Sequence, residues 1–170
     1  MASLEITSNV VKIDSEIENV FSFYSDFNKI GNFVSAARQL GIINQLPEEM
    51  SEFTKQVKDV RWTTNECVIT LEKLGDMNIK IVEKEHPKLI KFSTSGQLPI
   101  EITIWIQLLQ NGPYDTRMRL TFHSDMNMML KMMLKGKIEK GINQLAEAMA
   151  KIPYSLLSSM PAVENPDLFV

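Results

Sequence analysis

The stretch IEITIWIQLLQNGPYDTRMRLTFHSDMNMMLKMMLKGKIEKGINQLAEAMAKI, Ile100 to Ile152, decides the fold. In its first part Ile100, Ile102, Ile104, Ile106 and Leu108 alternate with Glu101, Thr103, Trp105 and Gln107, the period of a strand with one buried face. Met118, Leu120 and Phe122 alternate in the same way with Arg117, Arg119, Thr121 and His123. Asn111-Gly112-Pro113 between the two runs predicts a tight reversal, because Gly accepts positive φ and Pro cannot continue a ladder. From Asn127 the period becomes helical. Leu130, Leu134, Ile138, Ile142, Leu145, Met149 and Ile152 share one face, opposed by Lys131, Lys135, Lys137, Glu139, Lys140, Glu147 and Lys151. A helix from Asn127 to Ile152 is about 39 Å long, enough to cross a whole sheet. A curved sheet closed by one such helix has room for an interior cavity.

Working outward, Leu4 to Ile13 reads as a first strand whose apolar phase shifts from Leu4 and Ile6 to Val11 and Ile13, which predicts a bulge near Ser8-Asn9. Ile17, Val20, Phe21 and Tyr24 then share a helical face, with Ser15 and Glu18 at capping-box spacing. A second short helix starts at Asp26 and runs through Phe27, Ile30, Phe33 and Val34, with Gly31 as a candidate kink. Ala36 to Lys55 reads as a connector packed partly on the sheet. Four further strands follow at Gln56–Thr63, Glu66–Leu74, Met77–Glu85 and Leu89–Ser95, separated by Thr64-Asn65, Gly75-Asp76 and His86-Pro87-Lys88. Alternation predicts an inward set of Val60, Trp62, Cys67, Ile69, Leu71, Ile79, Ile81, Ile90, Phe92, Ile102, Ile104, Ile106, Met118, Leu120 and Phe122. The expected architecture is α+β: a seven-stranded curved antiparallel sheet wrapped around a long C-terminal helix, with two short helices between strands 1 and 2.

Composition bounds the function. The chain has 170 residues, 44% hydrophobic and 23% charged, with a formal net charge of -3, which fits one globular domain and disfavours nucleic acid as a partner. The domain is expected over 1–152, with 153–170 as a C-terminal tail. One cysteine, Cys67, allows no internal disulfide and fits a reducing, cytoplasmic setting. No run approaches the roughly 18 apolar residues of a membrane span, and the N-terminus does not read as a leader.

Three segments resemble a known superfamily: VVKIDSEIENVFSFYSDF at Val10 to Phe27, IKIVEKEHPKLIKFSTSG at Ile79 to Gly96, and YDTRMRLTFHSDM at Tyr114 to Met126. With the order strand, two short helices, six strands, long helix, they resemble the helix-grip fold of the START-like, or SRPBCC, superfamily, which includes polyketide cyclase/dehydrase-like and coenzyme Q-binding proteins. That resemblance implies a hydrophobic cavity between sheet and long helix, of the kind that holds lipids, sterols, polyketides, hormones or quinones. Thr63-Thr64-Asn65-Glu66 stands where some members carry a glycine-rich loop, so phosphate binding there is not expected. The cysteine and histidine content does not support a Rieske cluster.

The expected ligand-binding residues are Trp62, Cys67, Ile81, Phe92, Ile104, Met118, Phe122, Met129 and Met133. Trp62, Phe92 and Phe122 suit either stacking on a flat apolar ligand or an ordinary aromatic core. Met126, Met128, Met129, Met132 and Met133 at the start of the long helix suit either an adaptable pocket wall or irregular core packing. Inward polar candidates are Ser8, Glu83, Thr94 and Ser124; a buried Glu83 with a raised pKa is the one candidate catalytic base. His86 and His123 are too isolated for a metal site or a triad, and no metal or cofactor is expected. The lysines of the long helix form a basic stripe, read as a solvated face or as a surface for acidic headgroups. Trp105, outward on its strand, marks a candidate homodimer or partner surface. The leading expectation is a binding module for a small hydrophobic molecule. The alternatives are a cyclase/dehydrase-like enzyme using the same cavity and a protein-interaction module without a ligand.

Overall fold

The computed structural model describes residues 2–41, 54–96 and 100–158. The strands are β1 (Ala2–Thr7), β2 (Val11–Ile13), β3 (Val57–Trp62), β4 (Glu66–Leu71), β5 (Gly75–Glu85), β6 (Leu89–Gly96), β7 (Ile102–Gly112) and β8 (Asp115–Met126). They form one antiparallel sheet in the order β1-β8-β7-β6-β5-β4-β3, with β2 also paired to β8. The helices are α1 (Ile17–Tyr24) and α2 (Phe27–Gln39) between β2 and β3, α3 (Met128–Ala150), and a short α4 (Tyr154–Leu157). The alternation reading therefore holds, and the predicted inward set is buried or half-buried throughout.

The expected first strand is split by its bulge. Thr7 faces Thr121 and Val11 faces Met118, so residues 8–10 oppose only 119 and 120. Ser8 repairs the ladder itself: its N–H donates to Leu120 O at 2.8 Å and its Oγ accepts from Leu120 N at 2.9 Å. The next N–H, of Asn9, donates to Asn143 Oδ1 on α3 at 2.7 Å. The bulge thus tethers the long helix to the sheet.

Local details depart from the sequence expectations in four places. Asp26 caps α2 through Asn28 N, as expected, but the Ser15–Glu18 capping box does not form. Glu16 is the N-cap of α1, Gln110 Oε1 accepts from Ile17 N at 2.7 Å, and Ser15 Oγ meets Ser155 Oγ instead. Gly31 does not break α2; it is where Trp62 packs against the helix, and a Cβ there would lie 2.4 Å from Trp62 Cζ2. At the β7–β8 reversal the left-handed residue is Tyr114 (φ 53°), not Gly112. A Cβ at Gly136 or Gly141 of α3 would meet open space. Finally, the packed unit runs past 152: Tyr154 is 1% exposed, donates to Met149 O at 2.5 Å and hydrogen-bonds the Tyr24 hydroxyl. The connector expected over 36–55 and the tail beyond 158 fall largely outside the described residues.

Two apolar clusters fill the inner face. The larger joins α1, the C-terminal half of α3 and Tyr154 to β1, β7 and β8 through Val20, Phe21, Leu120, Ile106, Ile142 and Ala146. The smaller joins Phe27 to Val60, Trp62 and Cys67 on β3 and β4. The long helix, about 35 Å over its 23 residues, packs along β1, β2 and β8 rather than across the whole sheet.

Candidate ligand-binding trough

Two register rows of the inner face run between the clusters. One contains Trp62, Cys67, Ile79 and Thr94, and continues through Ile102, Ser124 and Leu4. The other contains Ile81, Phe92, Ile104, Phe122 and Ile6. The first row is sealed at both ends and the second at its β1 end: Trp62, Cys67, Leu4, Ile6 and Phe122 are buried, whereas Ile81, the β5 end of the second row, is half-buried. Between those ends Thr94 and Ser124 are buried as well, but the apolar side chains are not. Ile79, Ile81, Phe92, Ile102 and Ile104 face inward yet remain half-buried, as do Leu130, Leu134 and Ile138 on α3. These half-buried apolar side chains of β5–β7, between the Trp62 cluster on one side and the larger cluster with Leu130, Leu134 and Ile138 of α3 on the other, are the candidate trough. Ile30, Ile81 and Phe92 touch both clusters, which marks the trough as the seam between them.

Two hydroxyls interrupt this apolar floor. Ser124 Oγ donates to Glu101 O at 2.7 Å, so its proton is committed to the backbone. Thr94 Oγ accepts the Ile102 N–H at 2.9 Å, a bond that leaves its own proton available to donate. The Cys67 thiol is pushed up to about 12 by burial, so it stays protonated at neutral pH and is no nucleophile.

Of the expected ligand-binding residues, the structure gathers Trp62, Cys67, Ile81, Phe92, Ile104 and Phe122 onto these two rows. Ile81, Phe92 and Ile104 are half-buried there, while the other three are buried. Met118 lies deeper, fully buried opposite Leu108 and Val11. Met129 and Met133 are 73% and 63% exposed, on the face of α3 turned away from the core, so they do not line the trough. Glu83 does not enter it either. Ile81 faces Phe92 but Glu83 faces Lys91, so Val82 is bulged and the alternation inverts, leaving Glu83 exposed on the outer side. Missing from the expected site were Ile79, Ile102 and the α3 residues Leu130 and Leu134. Their apolar periodicity was visible, but incomplete coverage of that face leaves no mark in a sequence.

A second constellation lies on the outer face. Ser3 Oγ is 2.9 Å from His123 Nε2, and Asp125 Oδ1 is 3.8 Å from the same atom. Both contacts address one ring nitrogen, whereas a Ser-His-Asp relay needs one at each. Trp105 stands beside this group with the Lys91 ammonium 5.4 Å from its ring. His86 pairs with Glu18 at 2.7 Å in solvent. Among the described residues no cluster of His, Cys, Asp or Glu could hold a metal, and no helix is long and apolar enough to cross a membrane.

No family model matches the chain, and no curated protein matches it in sequence. Solved structures do. Norcoclaurine synthase from Thalictrum flavum, in complex with dopamine and hydroxybenzaldehyde, aligns over 94% of this chain and 90% of its own with 11% identity and a TM-score of 0.58. A conserved protein from Geobacillus kaustophilus aligns over 87% and 96% with 14% identity and a TM-score of 0.54. A protein from Thermus thermophilus aligns over 92% and 100% with 12% identity and the same TM-score. The fold is a helix-grip fold. At these identities the helix-grip likeness speaks for architecture alone, and the site must be read from this chain's own residues.

Proposed function

We propose that this helix-grip protein binds a small, mainly apolar molecule in the trough, of the lipid, polyketide or quinone-like kind, with Thr94 donating a hydrogen bond that orients it. One observation carries the reading: the apolar side chains Ile79, Ile81, Phe92, Ile102 and Ile104 on the inward face stay only half-buried in the centre of the sheet, while Trp62 and Cys67 on one side and Leu4, Ile6 and Phe122 on the other are buried. Burying such surface is worth about 25 cal/mol per Å2, so an apolar occupant is favoured there over water. The complex of the norcoclaurine synthase with dopamine and hydroxybenzaldehyde is in keeping with a small-molecule site on this architecture. The groups on the described lining, two hydroxyls and a protonated thiol, support binding rather than proton transfer.

The test is a fluorescence titration with the neutral apolar probe N-phenyl-1-naphthylamine, paired with native mass spectrometry and organic extraction of the purified protein. Ile104→Glu places a charge in the centre of the floor at a half-buried position. It is expected to weaken probe binding at least tenfold while the protein stays folded. Unchanged probe affinity in a folded Ile104→Glu variant would sink the assignment of the trough.

A further inference from the structure

The first two turns of α3 are apolar on both sides. Leu130 and Leu134 lean on the core, while Met128, Met129, Met132 and Met133 stand 59 to 77% exposed on the opposite side. At 100° per residue these four methionines occupy one continuous arc of about 140°. Lys131 and Lys135 border one edge of that arc and Lys137 the other, with Lys140 further along it. The segment 128–140 thus carries four lysines against the single Glu139, within a chain of net charge -3. A face of adjacent exposed methionines is costly in water and is not an ordinary solvated helix face.

We propose that this face docks on an anionic lipid bilayer, with the methionines entering the headgroup boundary and the lysines meeting the lipid charges. The ridge is convex, and methionine is flexible enough to settle among lipid chains. A second copy of the chain fits less well, because pairing two such faces would bring lysine against lysine. The docked face is the outer side of the same turns that wall the trough. This docking goes beyond the trough reading and stands whether or not the trough is filled.

Sedimentation with extruded vesicles tests it, using phosphatidylcholine alone and phosphatidylcholine with added phosphatidylserine. The full chain is expected to bind the anionic vesicles, and to lose binding as salt is raised. Neutralising Lys135 or Lys137 to Gln should lower the partition about fivefold each. Met129→Gln with Met133→Gln should lower it by more than about tenfold. These side chains are exposed, so the melting temperature should hold in every variant. Vesicles should also slow peroxide oxidation of the four methionines, read by peptide mass spectrometry. Failure to bind anionic vesicles overturns the proposal. So does binding that depends on the lysines but not on the methionines, or protection of the methionines that grows with protein concentration alone.

Discussion

Replacing Gly31 by alanine pits two opposing terms against each other. In the interior of an exposed helix the change would gain about 1 kcal/mol from propensity. Here the new Cβ would sit 2.4 Å from Cζ2, 2.5 Å from Cε2 and 2.8 Å from Cη2 of Trp62. Carbon atoms in contact rest at about 3.5 to 4.0 Å, so the indole must retreat by about 1 Å. It has little freedom to do so, because Trp62 is 4% exposed and packed with Phe27, Val60 and Cys67. Overpacking of this kind costs about 1 to 3 kcal/mol, so the steric term wins and Gly31→Ala should destabilise by about 1 kcal/mol net. Thermal unfolding should show a fall in Tm of about 2 to 4 °C. The assay is completed by a double-mutant cycle. Trp62→Phe opens space beneath α2 and loses stability by itself, but Gly31→Ala in that background should be neutral or stabilising, giving a coupling of about 1 to 2 kcal/mol. A rise in Tm for Gly31→Ala in the otherwise unchanged protein would refute the reasoning. It would mean that the indole is free to swing toward the trough, as a ligand-contacting residue would.

The other two helix glycines should behave oppositely: Gly136→Ala and Gly141→Ala meet open space and should each raise stability by up to about 1 kcal/mol in chemical denaturation. Tyr154→Phe removes both the bond to Met149 O and the acceptor for the Tyr24 hydroxyl in a buried setting, and should cost about 2 kcal/mol, with Tyr24→Phe costing less. Alkaline stability should depend on Cys67. Its unfolded thiol ionises near pH 9 while the folded one holds its proton to about 12, so the folded state binds more protons between these values. Stability is then fully present below pH 9 and falls by about 1.4 kcal/mol per pH unit above it. Cys67→Ala should flatten the part of that slope just above pH 9 in denaturant titrations, before the buried tyrosines add their own; an unaltered slope there would contradict the assignment.

The strands and both helix-rich regions were legible because antiparallel strands with one wet face alternate, and a helix against that face repeats at 3.6 residues. Even the Ser8-Asn9 bulge was readable, since the phase of the apolar residues slips there. The Val82 bulge was not: Ile79, Ile81 and Glu83 keep perfect spacing in the sequence, and only the pairing with Phe92 and Lys91 shows that Glu83 turns outward. Gly31 was read as a kink, although what keeps it small is an indole from a strand 31 positions away. The methionines of α3 presented the same difficulty. Their number was conspicuous, but which way they face depends on how the helix is set on the sheet.

The sequence by itself determined the α+β class, the order of elements, the inward set of the sheet and hence the helix-grip architecture, because period and turn chemistry are local properties. Tertiary structure alone decided that α3 lies along β1, β2 and β8, that apolar side chains in the centre of the inward face stay half-buried between two buried clusters, and that Met129 and Met133 face away from the core. Alternation says which side of a strand a residue occupies. It does not say whether another element comes close enough to cover it, because coverage is set by the relative placement of helices and sheet over distances that no local pattern encodes.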